Sequence, residues 1–371
     1  MLALLLASLV ASAPATPAVA PATAFPAAVR ARLDAAVSKW LASSGAPGVA
    51  LGIWMPGKGT YVAARGYADL QTKRPMSTSD YFRIGSNTKT FTVTALLQLC
   101  DQHVLSLDDP VSKYFPFVPN GGNITLRMLA NMTSGLFNYT EDEEFVKTLL
   151  ANPHGSWAPR QLVNVAFDHP PYFKPGTGWH YSNTNTVLLG MILERVTRRP
   201  LADVFVEQIF EPLGLQHTLW PMGRQLPDPH ADGITVQTPD GRQADATKWN
   251  PSWAFSAGAL ASTLDDMHVW IQSYATGTLV SPAMQKQRLI WVTFPPNTRQ
   301  KAYGLGIGHD VGWLGHSGEL PGYNTAAYYL PARKAAIVVM VNSDIAARGQ
   351  NPALALVKAL TKIVTPENVP I

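Results

Sequence analysis

Hydrophobic and polar positions along this chain predict strands near both ends and helices in the middle. Residues 48–54 and 60–66 have the short apolar or alternating pattern of strands, and the Pro-Gly-Lys-Gly segment between them predicts a hairpin. Further strands are predicted late in the chain, at residues 303–307, 311–317, 325–330 and 335–341. Strand-forming sequence is therefore concentrated at the two ends.

Helical spacing of apolar residues is found in the remaining segments. Residues 27–41 and 352–363 have this spacing near the two ends of the chain. The segment after residue 86 is apolar on most sides, which predicts a helix in the centre of the core. Between about residues 101 and 253, Pro and Gly separate predicted helices at 126–132, 183–198 and 201–210.

This order of elements predicts an α/β (α+β) fold with one antiparallel sheet built from both chain ends and flanked by helices. We assign residues 25–100 together with 255–371 to the sheet domain, and residues 101–254 to an inserted, mostly helical domain. Ligand sites favour domain boundaries, so the groove between the two is the expected functional site.

Composition narrows the possible functions. Of 371 residues, 46% are hydrophobic and 15% are charged, which is typical of a well-packed globular protein. The net charge of +4 is small and no Lys/Arg stripe is present, so nucleic acid is not an expected partner. The single cysteine, Cys100, excludes an internal disulfide. Metal-ligand spacing and a phosphate-binding loop are both missing from the sequence, so we expect no metal and no cofactor.

The first 24 residues are predicted to be a signal peptide. An apolar run at residues 2–10 is too short to span a bilayer, and Ala-Thr-Ala precedes Phe25 as a small-residue cleavage site. No Lys or Arg precedes the apolar run, and a disordered Ala/Pro tail is the competing interpretation. We expect a secreted or periplasmic protein with no integral membrane span after processing.

Ser86 and Lys89 are the first candidates for chemistry, at the predicted start of the buried helix. Residues at i and i+3 share a helix face, so the amine can lie beside the hydroxyl and help to take its proton. Burial and the positive end of the helix dipole both disfavour the charged amine. Alone the pattern is weak, because a capping serine followed by a surface lysine has the same spacing.

Two further motifs follow in the chain: Tyr-Ser-Asn at 181–183 and His-Ser-Gly at 316–318. Together the three motifs resemble those of the penicillin-recognising serine hydrolases, peptidase family S12. The resemblance is to the class C β-lactamases, the family VIII esterases and above all the Streptomyces-type D-alanyl-D-alanine carboxypeptidase. It runs from about residue 25 to the C-terminus and implies a β-lactamase/DD-peptidase-like fold.

The resemblance implies a role for each motif residue. Ser86 is the expected nucleophile, and Lys89 and Tyr181 manage protons, although the sequence leaves open which of the two is the main base. Asn183 is expected to bind a substrate amide oxygen and to hold Lys89. His316 is expected to donate a hydrogen bond to Tyr181. The competing interpretations are a buried tyrosine, a helix-capping asparagine and a structural histidine.

The resemblance also extends to the substrate-binding cleft. The backbone N–H groups of Ser86 and Glu319 are expected to form the oxyanion hole, and Gly318 lets the strand approach the substrate. Other expected substrate contacts are Ser317, Phe137, Thr140 and Trp253. The last three are equally compatible with core positions.

Two departures from the carboxypeptidase pattern affect the expected substrate. The family's carboxylate-binding arginine follows a Tyr-Gly-Leu-Gly-Leu stretch, whereas here Gly308 and His309 follow the equivalent residues 303–307. Glu319 stands where the family has threonine, and an acid there repels a carboxylate. Strict D-Ala-D-Ala carboxypeptidase activity is therefore disfavoured relative to a neutral ester, an amide or an amino-terminal peptide.

The sequence thus predicts a serine hydrolase that acts through an acyl-enzyme on a small peptide, ester or β-lactam. The chemistry is expected to be most like that of a D-alanyl-D-alanine carboxypeptidase or D-amino-acid peptidase. A carboxylesterase and a class C-like β-lactamase are the alternatives within the same chemistry. From another class, the alternative is a catalytically silent binding protein on this scaffold, against which the intact Ser86, Lys89 and Tyr181 argue.

Overall fold

The computed structural model describes residues 23–221, 223–345 and 351–371. Apart from Thr23 and Ala24, which lie against Thr60, the predicted signal peptide is outside the described residues, and export stays a prediction. Within the described part of the chain, every helix is too short or too polar to cross a membrane.

The long strands lie near the two ends of the chain, and three strands of two residues each lie among the helices of the middle part. The strands are β1 (Gly48–Met55), β2 (Gly59–Asp69), β3 (Arg74–Pro75), β4 (Phe82–Arg83), β5 (Ile234–Thr235), β6 (Ala244–Asp245), β7 (Ala261–Ser262), β8 (Lys301–Tyr303), β9 (Gly308–Asp310), β10 (Trp313–Leu320), β11 (Tyr323–Leu330) and β12 (Ala335–Val341).

Most of the helices lie in the middle of the chain, between β4 and β8. The helices are α1 (Ala27–Ser44), α2 (Thr88–Asp101), α3 (Leu126–Ala130), α4 (Glu143–Ala151), α5 (Pro159–Phe167), α6 (Asn183–Thr197), α7 (Leu201–Phe205), α8 (Glu211–Leu213), α9 (Phe255–Gly258), α10 (Leu264–Thr276), α11 (Pro282–Arg288) and α12 (Pro352–Val364).

One large antiparallel sheet joins the two ends of the chain. Its strand order is β3-β2-β1-β12-β11-β10-β9-β8, and the pairing of β1 with β12 brings the N-terminal hairpin beside the C-terminal strands. The predicted fold class is therefore confirmed: a mixed α/β chain with an antiparallel sheet that is built from both ends and flanked by helices.

Strand β12 shows why the sheet is covered on both faces. Alternate side chains of a strand point to opposite faces of the sheet. Because all seven residues of β12 are buried, both faces of the sheet must be covered there. Ile337 and Val339 pack into the core under α1 and α12, whereas Val338 and Met340 pack into the larger core that includes α2, α6 and α10. A continuous apolar run is the expected sequence of a strand buried on both faces.

Three predicted elements near the site differ from the structure. The strand predicted at 303–307 is wrong, because β8 ends at Tyr303 and the amide of Gly304 bonds the carbonyl of Ile307 in a turn. The strand predicted at 311–317 begins instead at Trp313, after a turn in which Val311 has a φ of 47°, and continues to Leu320. The helix predicted at 201–210 becomes a π-helix from Val206 onwards.

Candidate active site

Ser86 lies in a single 3₁₀ turn, Gly85–Asn87, directly before α2. Gly85 has a φ of 51°, and a Cβ added there would meet the backbone nitrogen of Glu319 at 2.5 Å. A Cβ on Gly318 would meet the carbonyl oxygen of Ile84 at 1.9 Å. Because both positions lack a side chain, strand β10 can lie directly against the turn that carries Ser86.

Asn87 and Thr325 fix this turn to the sheet. The Asn87 side-chain amide donates to Thr325 Oγ1 at 2.8 Å, and that hydroxyl donates to the Ile84 carbonyl at 2.9 Å. Both side chains are almost completely buried. A buried and satisfied polar network of this kind holds a backbone segment in one geometry.

Lys89 is the most unusual charged residue of the site, because its side chain is completely buried. Its Nζ lies 2.8 Å from Ser86 Oγ and 2.8 Å from the carbonyl oxygen of Ala257. Among the described residues, no acidic side chain forms an ion pair with it. Burial therefore holds the pKa of the Lys89 amine well below its ordinary value. A neutral amine in this position can accept the Ser86 proton.

Tyr181 lies next to this pair. The Lys89 Nζ is 4.9 Å from the centre of the Tyr181 ring. Burial raises the pKa of the Tyr181 phenol, and a hydrogen bond with Ser86 opposes this shift without cancelling it. The phenol thus keeps its proton at neutral pH, which suits it to pass a proton on rather than to act as a phenolate base.

His316 does not make the predicted hydrogen bond to Tyr181. Its Nε2 lies 3.0 Å from the hydroxyl of Tyr303, and its Nδ1 bonds the carbonyl oxygen of Ser317. A carbonyl oxygen only accepts, so Nδ1 carries the proton and Nε2 accepts from Tyr303. Burial and the nearby Lys89 lower the pKa of His316 to about 4. The imidazole is therefore neutral at pH 7 and is held by Tyr303.

The lowered pKa of His316 predicts a loss of stability in mild acid. The unfolded chain binds this proton near pH 6.5 and the folded chain only near pH 4, so stability falls as the pH drops through that window. The shift corresponds to about 3 kcal/mol at 1.4 kcal/mol per pKa unit. We expect His316→Gln to lose less unfolding free energy than wild type between pH 6.5 and 4, as measured by urea denaturation.

Two other histidines serve as comparisons for this measurement. Burial also lowers the pKa of His268 to about 4, so His268→Gln is expected to flatten the profile similarly, away from Ser86. His154 is exposed, and His154→Gln is the control for the loss of a histidine side chain, with the wild-type unfolding free energy expected at pH 7. Equal slopes for wild type and His316→Gln would show that His316 is not buried in its neutral form.

Asn183 does not contact Lys89 in the way that the sequence predicted. Its side-chain amide donates to Thr140 Oγ1 at 3.0 Å, while the hydrogen bonds of Lys89 within the described part of the chain go to Ser86 and Ala257. The backbone amide of Asn183 also donates to Asn138 Oδ1 at 3.0 Å. Asn183 thus ties the start of α6 to the loop that contains Thr140.

Phe137 and Trp253 lie in the same region as Thr140. The Phe137 ring stacks on His169, with ring centres 4.0 Å apart, and its carbonyl accepts from Thr184 at 2.6 Å. The Trp253 carbonyl accepts from the buried Tyr139 hydroxyl at 2.6 Å. These contacts support the loop beside the start of α6, and neither side chain lines the cavity that opens next to Tyr181.

That cavity has a volume of about 560 Å³. Tyr181, His316 and Ser317 line it, as do Gly308 and His309 at the positions where the related carboxypeptidase has its arginine. Glu319 lies outside the lining, is exposed, and accepts a hydrogen bond from Asn351 at 3.3 Å.

Two hydrogen-bond partners in the site, one of Lys89 and one of His316, were not identified from the sequence. The Ala257 carbonyl has no side-chain signature, so its contact with Lys89 follows only from the packing of α9 on α2. Tyr303 belongs to the Tyr-Gly-Leu-Gly-Ile stretch, which the sequence offered only as a landmark. Among the described residues, no three His, Cys, Asp or Glu side chains are grouped to hold a metal ion.

The site combines a serine directly before a core helix with a buried lysine in the first turn of that helix. A tyrosine that precedes a second helix and the Gly-containing strand β10 complete it. This arrangement defines a class of protein. It is the class of penicillin-recognising serine hydrolases. The Beta-lactamase family model matches residues 30–360, and the chain belongs to the Beta-lactamase family.

Similar structures and sequences agree with this assignment. The D-stereospecific amidohydrolase from Streptomyces sp. is 31% identical, with a TM-score of 0.80 over 92% of this chain and 98% of that chain. The D-amino acid amidase from Ochrobactrum anthropi SV3 is 28% identical, with a TM-score of 0.78 over 91% of this chain and 96% of that one.

A curated relative, protein flp of Staphylococcus aureus (strain MW2), is 27% identical over 321 residues, or 84% of this chain. The chain spans about 62% of the length of such curated relatives.

Proposed function

We propose that this protein hydrolyses amides or peptides of D-amino acids that carry a free amino group, through an acyl-enzyme on Ser86. The observation that carries the chemistry is the completely buried Lys89 amine, 2.8 Å from the Ser86 hydroxyl. The names of two similar structures, a D-stereospecific amidohydrolase and a D-amino acid amidase, support the substrate class.

In the proposed reaction the neutral Lys89 amine accepts the proton of Ser86 as its oxygen attacks the acyl carbon. The backbone N–H groups of Ser86 and Glu319 stabilise the oxyanion, since β10 lies against the serine turn. The Tyr181 phenol gives a proton to the departing nitrogen and is reprotonated from Lys89. Water then releases the D-amino acid from Ser86 by the reverse sequence of proton transfers.

Glu319 supports an ammonium-bearing substrate. Its backbone nitrogen lies against Gly85, next to Ser86, so a substrate held at the oxyanion hole places its α-substituents near this residue. The side chain is exposed, although its partial burial raises the pKa of the carboxyl group. In its ionised form it attracts an ammonium group and repels a carboxylate. An amino acid amide satisfies both preferences, because it has an ammonium group and no carboxylate.

Glu319→Gln tests this substrate class. The amide keeps the shape of the side chain and removes its charge, and a hydrogen bond to a charged group contributes about 1.5–3 kcal/mol. We expect kcat/KM for D-phenylalanine amide to fall about tenfold or more. For the N-acetylated amide, which has no ammonium group, we expect little change relative to the wild-type value.

Glu143→Gln is the matched control, because Glu143 is an exposed glutamate on α4. It is expected to leave both substrates unaffected. The same wild-type to variant ratio for the free and the acetylated amide would argue against ammonium recognition by Glu319. Hydrolysis of simple esters but of neither amide would instead favour the carboxylesterase alternative.

A further inference from the structure

The cavity beside Tyr181 has a volume of about 560 Å³, and most of the residues that line it are not catalytic candidates. Its walls come from the β8–β9 hairpin, from β10 and from α12, which contributes Leu354 and Ala355. Ser86 does not line it, whereas Tyr181 and His316 do. The cavity therefore lies beside Tyr181 and is not lined by the nucleophile.

The position of Tyr181 decides which part of a substrate extends into this space. A general acid must lie within about 2.6–3.2 Å of the atom that it protonates. In the proposed function, that atom is the departing nitrogen, and whatever is attached to it continues past Tyr181. We propose that the cavity is the leaving-group subsite and that it selects substrates whose departing amine carries a bulky apolar or aromatic group.

The volume of the cavity favours a bulky departing amine over ammonia. A cavity of about 150 Å³ holds a benzene molecule, whereas a water molecule, which is similar in size to ammonia, occupies about 30 Å³ of liquid. A volume of about 560 Å³ thus has room for a departing amine with an aromatic ring. A primary amide, which releases only ammonia, leaves almost all of this space without substrate atoms.

The cavity walls favour aromatic groups. The rings of Trp179 and Tyr181 lie 6.0 and 6.1 Å, respectively, from that of Tyr303, between centres, and all three residues line the cavity. Leu354 and Ala355 add aliphatic surface from α12. Aromatic rings pack edge-on or offset at these distances, so a benzyl or phenyl group on the leaving nitrogen has suitable neighbours.

The inference rests on the proposed function and uses its proton transfers. Ser86 Oγ forms a bond to the acyl carbon, and the bond between that carbon and the nitrogen breaks. The proton that left Ser86 reaches the nitrogen through Lys89 and Tyr181. A neutral primary amine, with its bulky group intact, then departs through the cavity.

Two amides of the same D-amino acid test the subsite: the benzylamide and the methylamide of D-phenylalanine. Their acyl parts are identical and both release alkylamines, so the comparison isolates the size of the leaving group. We expect wild-type kcat/KM to be at least about tenfold higher for the benzylamide, the discrimination that an apolar pocket commonly gives.

Ala355→Phe is designed to fill the cavity from α12, since Ala355 is half-buried and lines it. We expect this variant to lower the ratio of kcat/KM for the benzylamide to kcat/KM for the methylamide about tenfold relative to wild type. Turnover of the methylamide also shows that the variant is folded. Ala359→Phe is the matched control, because Ala359 is half-buried on the same helix outside the cavity lining, and it is expected to keep the wild-type preference.

Equal kcat/KM for the two amides in both wild type and Ala355→Phe would overturn the subsite while leaving the proposed function intact. Failure of the proposed function would be recognised by a separate result. If neither amide is hydrolysed and neither adds a D-phenylalanyl group to Ser86, both proposals fail.

Discussion

Ser86→Ala is expected to lower kcat for D-phenylalanine amide by about 10⁴-fold or more, since the proposed acyl-enzyme forms on the Ser86 oxygen. The fold is expected to persist, because the change removes one half-buried oxygen from the 3₁₀ turn Gly85–Asn87. The hydrogen bond from Asn87 to Thr325, which fixes this turn to the sheet, is not touched by the substitution. Thermal denaturation and steady-state kinetics on the same preparation measure the two effects.

Ser79→Ala controls for the loss of a serine, because Ser79 is exposed and outside the site. It is expected to retain wild-type turnover. A Ser86→Ala variant that keeps more than about a tenth of wild-type kcat is incompatible with covalent catalysis by this residue.

Lys89→Met is expected to lower kcat/KM by about 10³-fold or more while the protein stays folded, because methionine fills the buried space without a basic nitrogen. The variant also reports the protonation state of Lys89. The folded-state pKa of this amine lies below the unfolded value, so the unfolded chain binds more protons and wild-type stability rises with pH. The slope between the two pKa values is about 1.4 kcal/mol per pH unit.

Urea denaturation at several pH values up to about 10 therefore distinguishes a neutral base from a structural lysine. We expect the rise to be smaller in Lys89→Met than in wild type. Lys39→Met, which replaces an exposed lysine on α1, is the control for the loss of a lysine and is expected to keep wild-type activity. Identical slopes for wild type and Lys89→Met would mean that Lys89 is charged in the folded protein.

Local pattern was enough to predict the architecture. The apolar run at 335–341 corresponds to β12. The hairpin signal at 56–59 connects β1 to β2, and its last glycine is the first residue of β2. The strand predicted at 303–307 failed because its glycines form a turn against α2. A Cβ on Gly306 would lie 2.6 Å from Val93, a tertiary contact that no local pattern records.

Residues of the candidate site could be predicted only where residue type and spacing form a recognisable motif. Ser86, Lys89 and Tyr181 lie together in the structure, as motif order and spacing suggested. The partners of His316 and Asn183 were not predictable from local pattern. Tyr303 takes the place that was predicted for Tyr181, and Thr140 the place that was predicted for Lys89. The cavity depends on how α12 approaches the β8–β9 hairpin, which is a property of packing.

The most direct test of the account is to locate the acyl group during turnover. Wild-type protein is mixed with D-phenylalanine methyl ester, quenched in acid within the first turnovers and digested with trypsin. Cleavage after Arg83 and Lys89 isolates residues 84–89, which contain Ser86. We predict a D-phenylalanyl mass increase on this peptide, assigned to Ser86 by fragmentation and missing in Ser86→Ala. A D-phenylalanyl group on any other residue, or turnover with every peptide unmodified, would contradict it.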